Sequence, residues 1–162
     1  HAGGGWGYEG RAGGFLRRRA EADMDLEKYC REFMRRDRLG AHLGIEMGVE
    51  HGAIAATMTV AKHHLNGAGS VHGGAIFTLA DIAFAAACNS AGQLALAVNT
   101  QLTFMKPAAE GTRLVARVRE LARSRRLGHY TVEVSTAEGD RVAVFQGTAY
   151  VKTEAISPYF AG

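Results

Sequence analysis

The chain has 162 residues, a length that suits one ordinary domain. It is 47% hydrophobic and 22% charged, the makeup of a globular protein, and its net charge of +3 argues against a dedicated nucleic-acid surface while suiting an anionic small ligand. Cys30 and Cys88 make no disulfide framework, which fits a reducing, cytoplasmic setting. The apolar run Ala75 to Cys88 is too short for a membrane span and is interrupted by Asp81.

Residues 1–23 are Gly-rich, carry Arg17-Arg18-Arg19 and lack the apolar stretch of a secretion signal. They read as a flexible leader outside the domain, with Met24 as a plausible start and a basic docking tail as the alternative. Met24 to Arg38 suits an amphipathic helix with Leu26, Tyr29, Cys30 and Phe33 on one face. Ala41 to Val49 and Ala53 to Ala61 read as strands, and KHHLNGAGSV as the loop that follows.

His72 to Ser90, HGGAIFTLADIAFAAACNS, is the most informative stretch. It predicts a helix that is apolar on every side, hence buried, with Asp81 as its one ionisable group. Gly92 is a candidate helix stop. Four strands follow: Ala95 to Met105, Arg113 to Arg123, His129 to Ala137 and Arg141 to Lys152, with Glu138-Gly139-Asp140 as a hairpin turn. Residues 24–153 then form the domain and 154–162 a loose tail. One buried helix beside about six strands indicates an α+β fold, a curved antiparallel sheet around the helix, with a second subunit to cover the side left open.

Two features of the helix carry chemistry. Gly73 and Gly74 stand where Ser, Thr, Asp or Asn would normally cap the first amides, so those amides are candidates to hold a negative oxygen; a simple tight turn is the competing reading. Asp81 has no charged neighbour in sequence. It is either a satisfied buried acid bonded to a strand backbone, with Thr78 three residues earlier as a further hydrogen-bond donor, or a general base or nucleophile. Eight residues separate Gly73 from Asp81, ~12 Å along one helix, too far for both to reach one carbonyl group. Two antiparallel copies across a twofold axis would bring Gly73 of one to Asp81 of the other.

The segment Leu65 to Ser90, continued by TFMKPA (Thr103 to Ala108) and the later strands, resembles the hotdog-fold acyl-CoA thioesterases, in the PaaI-like branch typified by phenylacetyl-CoA thioesterase. The resemblance implies hydrolysis of aryl or medium acyl-CoA thioesters to free acid and CoA. It implies a homodimer or dimer of dimers and no separate cofactor or metal. By position it makes Gly73 the amide donor to the thioester carbonyl and Asp81 the catalytic carboxylate. Asn66, His72, Gly74 and Thr78 would support them, and Lys106, Pro107, Arg125, Arg126 and Gly128 fall in segments that bind the CoA end. Two other readings stay open on the same fold. A non-catalytic acyl-CoA sensor would bind without turnover. A dehydratase or hydratase would act on the acyl chain rather than the carbonyl. His63-His64 lacks a second pair at metal-ligand spacing, and GAGSVHGG lacks the Gly-Lys-Ser/Thr of a phosphate loop.

Overall fold

The computed structural model describes residues 25–157. The leader 1–23 and the last five residues of the tail lie outside the described residues. The elements in order are α1 (Leu26–Arg36), α2 (Arg38–His42), β1 (Glu46–Glu50), β2 (Ala53–Thr59), a 3-10 turn (Lys62–His64), α3 (Gly73–Asn89), β3 (Gln93–Phe104), β4 (Arg113–Arg123), β5 (Leu127–Thr136) and β6 (Arg141–Ala155).

The six strands form one antiparallel sheet in the order β1-β2-β4-β5-β6-β3. α3 packs against β2, β3, β4, β5 and β6, so the sheet wraps it as expected for a hotdog fold. Alternation along β5 and β6 turns Val132, Val134, Ala143, Phe145 and Ala149 toward the helix. Leu79, Ala80, Ala83 and Phe84 of α3 meet them, each fully buried. The Phe84 ring sits 5.4 Å from that of Phe145 and 5.6 Å from that of Tyr130, separations typical of favourable aromatic pairs. Cys88 is in this core, as expected, and Cys30 is buried under α1.

α3 ends where its sequence dictates. Asn89, itself buried, donates to the carbonyls of Ala85 and Ala95 and accepts from the Ala95 amide at 2.8 Å. Gly92 then adopts a φ of +85°, which reverses the chain into β3. α1 docks through the Tyr29 hydroxyl, which donates to the Ala86 carbonyl at 2.8 Å.

Two boundaries are corrected. The segment from Ala41 does not run as one strand: residues 38–42 are helical because the Asp37 carboxylate caps the Gly40 amide at 2.7 Å, and the strand starts at Glu46. The tail expected to be loose from Glu154 is ordered at its start. β6 continues to Ala155, and Ile156 is buried with its amide donating to the Gly92 carbonyl.

Candidate active site

The entrance of α3 is built around His72. Its backbone is extended, and its Nδ1 accepts from the Gly74 amide at 2.9 Å, the task a Ser or Asp usually performs. The Gly74 amide is thereby occupied, so it is not a second free donor. The Gly73 amide has no acceptor among the described residues. It stands in the first turn, where the helix dipole favours negative charge. A Cβ at Gly73 would lie 2.7 Å from the tip of the Phe104 ring, an exposed side chain that would have to shift to admit it.

Gly73 and Phe104 share a cavity of about 360 Å³ with Asn66, Val71, Ile76 and Lys106, and Pro107 lines it too. Asn66 is fixed from within its own loop: Oδ1 accepts from the amides of Ala68 and Ser70, and Nδ2 donates to the Ser70 hydroxyl. Its contribution is to hold the 66–70 turn beside the cavity. Lys106 pairs with Asp140 at 2.8 Å, both side chains exposed. A pair of that kind is weak and exchanges readily with an anionic ligand.

Asp81 lies two turns further along α3, half-buried. No hydrogen bond to its carboxylate is formed among the described residues. Thr78 does not serve as the donor foreseen from its spacing, because its hydroxyl bonds back to the Gly74 carbonyl at 2.8 Å. Burial, and secondarily the Asp37 carboxylate, hold Asp81 above the usual range for an aspartic acid. Gly74, Phe77, Thr78, Asp81 and Ala85 make the stripe of α3 that the sheet leaves partly open.

The remaining expected CoA contacts are not brought to this cavity. Arg125 and Arg126 belong to the β4–β5 connection and Gly128 to the start of β5, where the Arg126 carbonyl accepts from the Val151 amide; the Lys106 amide donates to the Val142 carbonyl. The nine residue steps of β6 from Val142 to Val151 span roughly 30 Å, so one chain cannot close both groups on a single small ligand. Arg126 instead donates to the Tyr150 hydroxyl, and buried Gly128 leaves room for the Tyr130 ring, 2.7 Å from where its Cβ would be.

Other nucleophiles are disfavoured by their surroundings. Burial pushes the Cys88 thiol up to about 12 and the Cys30 thiol up to about 11, so both stay protonated at neutral pH. Among the described residues no three His, Cys, Asp or Glu side chains are placed to hold a metal ion, and no helix is long and apolar enough to cross a membrane.

Comparison with known proteins agrees with this architecture. The thioesterase superfamily model matches residues 68–143, which include α3 and most of the sheet. A putative esterase of Archaeoglobus fulgidus is 42% identical over 110 residues, 68% of this chain and 71% of that protein. The acyl-coenzyme A thioesterase PaaI of Escherichia coli is 38% identical over 109 residues, 67% of this chain and 78% of that one. The solved structure of E. coli PaaI, from the phenylacetic acid degradation operon, superposes with a TM-score of 0.74 over 80% of this chain and 98% of that one, at 32% identity. A Streptococcus mutans protein solved with acetyl CoA bound gives a TM-score of 0.64 at 27% identity, over 68% of this chain and 90% of that one. By sequence and by fold, the chain belongs to the thioesterase superfamily, in its PaaI-like, hotdog-fold branch.

Proposed function

We propose that this protein hydrolyses acyl-CoA thioesters to the free acid and CoA, at a site made by two copies of the chain. The E. coli relative is named an acyl-coenzyme A thioesterase, and the S. mutans neighbour holds acetyl CoA. The observation that carries the reading is on α3: an unbonded amide at Gly73 and an unbonded, half-buried carboxylate at Asp81, eight residues apart. Neither is explained by packing within one chain. β3 supplies the means of pairing, because it is a twelve-residue edge strand with Leu96, Val98 and Phe104 exposed.

In this site the thioester oxygen accepts from the Gly73 amide. The carboxylate of the partner's Asp81 removes a proton from water as the water oxygen bonds to the carbonyl carbon. The tetrahedral oxyanion is held by the amide, an effect of ~10²–10³ in rate. Its collapse breaks the C–S bond, and the CoA thiolate leaves and takes up a proton. A direct attack by Asp81 would pass through a mixed anhydride and needs the same two groups. A thiolate is a good leaving group and the thioester carbonyl is reactive, so this chemistry calls for no cofactor. Lys106 and Pro107 at the mouth of the cavity, with Arg125 and Arg126 from elsewhere in the assembly, would meet the nucleotide end. Aryl or medium-length acyl groups are the substrates proposed, and the free thiols of Cys30 and Cys88 suit a cytoplasmic setting.

Subunit complementation tests the shared site. Gly73 is the first residue of α3, where proline is well accepted, and His72 already has the extended backbone that precedes a proline. Gly73→Pro therefore deletes the N–H and keeps the helix. Gly73→Ala is the control, since it meets Phe104 equally but keeps the amide. Each of Asp81→Asn and Gly73→Pro should lose at least ~10² in kcat, whereas heterodimers of the two should regain one working site. Inactive, verified heterodimers would refute the sharing. Turnover by Asp81→Asn at the parent rate, across a panel of acyl-CoAs, would refute the chemistry.

A further inference from the structure

A second cavity, of about 300 Å³, lies between the end of α2, the Ala61–His64 turn and the ends of β2 and β4. Its ionisable lining is His42 from α2, Glu46 from β1, His63 and His64 from the turn and Arg113 from β4, joined by the hydroxyls of Thr57 and Thr59. The ring centroids of His42 and His63 are 6.0 Å apart, and those of His63 and His64 are 4.1 Å apart. Three imidazoles and a guanidinium are thus gathered in one place.

Donors outnumber acceptors here. Arg113 makes one hydrogen bond, to the Thr57 hydroxyl at 3.4 Å, and no ion pair among the described residues. Glu46 is exposed and does not neutralise it. His64 is 3% exposed, and its Nδ1 accepts from the Ala61 amide at 3.0 Å, which places the neutral ring's proton on Nε2. Among the described residues, that Nε2 is the buried side-chain nitrogen or oxygen left without a partner. A buried donor without an acceptor is costly. The exposed His63 ring packs edge-on against the His64 ring.

We propose that this cavity binds a phosphate group, either inorganic phosphate or the monoester of a small metabolite. A phosphate presents several acceptor oxygens and two charges to donors arriving from α2, the turn and β4, and Arg113 supplies the planar fork that suits it. The guanidinium speaks against a metal cation in the same place. The site is separate from Gly73 but not remote from it: the His64 carbonyl accepts from the His72 amide at 2.7 Å, and His72 caps α3.

The test follows the imidazole nitrogens of the full chain by NMR at constant ionic strength. Inorganic phosphate and glycerol phosphate should move the His42, His63 and His64 signals saturably, and acetate should not. Arg113→Ala should weaken phosphate binding at least about tenfold and Arg113→Lys less. Gly73→Pro should bind phosphate like the parent, so a failed hydrolase reading would leave this result standing. Shifts that do not saturate, that saturate with the parent's affinity in Arg113→Ala, or that acetate reproduces would overturn the proposal.

Discussion

Asp81 pays for its place in a greasy helix with its ionisation. Its carboxyl is held above the ordinary range, so the native state keeps that proton to higher pH than the unfolded chain does. The stability it contributes is full below the unfolded value and is lost as pH rises through the raised one. Asp81→Asn removes the penalty of charging a partly buried acid. The variant should melt at a higher temperature than the parent at pH 7, and the difference should fade in acid; thermal melts at pH 7 and pH 4 check this. The pH dependence of turnover has the opposite sense. In the proposed mechanism hydrolysis needs the carboxylate, so kcat should fall with decreasing pH, with its midpoint above that of an ordinary aspartate. A single turnover in ¹⁸O-water tests the anhydride route: label in the Asp81 side chain requires water to have attacked the Asp81 carbonyl of a mixed anhydride.

At the level of elements, α3 depends on Asn89 for its exit. Replacing Asn89 by Ala leaves the buried Ala95 amide without an acceptor and should cost about 1–3 kcal/mol in denaturant unfolding. α3 is also the element most fully legible in the sequence, because continuous apolarity and the His-Gly-Gly entrance dictate burial and start together. β4 was equally plain, bounded by Gly111 before it and charged residues alternating along it. The Arg38–His42 helix was hidden by a local competition. Leu39, Ala41 and Leu43 alternate like a strand, yet the Asp37 cap wins. Of the candidate catalytic groups, Gly73 and Asp81 could be picked out from residue type and spacing. The capping role of His72, the back-bond of Thr78 and the loop bonds of Asn66 could not, since each depends on which of several nearby partners a side chain reaches. The His42, His63 and Arg113 cluster has no sequence signature, for its members come from three elements distant along the chain.

For the molecule as a whole, the sheet has two unlike edges. β1 is five residues long, whereas β3 is twelve residues long and breaks register with β6 near Val98, a residue 61% exposed. If β3 is the seam between copies, Val98→Lys should shift the protein toward monomer in analytical ultracentrifugation. Specific activity should then fall on dilution more steeply than in the parent. Unchanged mass together with unchanged activity would place the seam elsewhere.

The strand order also has a consequence for synthesis. β3 is made before β4, β5 and β6, yet its one neighbour in the sheet is the strand made last. A growing chain on the ribosome therefore carries a long sticky ribbon that lacks its sheet neighbour until β6 has been made. Nascent chains stalled before residue 141 should be chaperone clients and protease-sensitive, and those extended past Ile156 and clear of the exit tunnel should not.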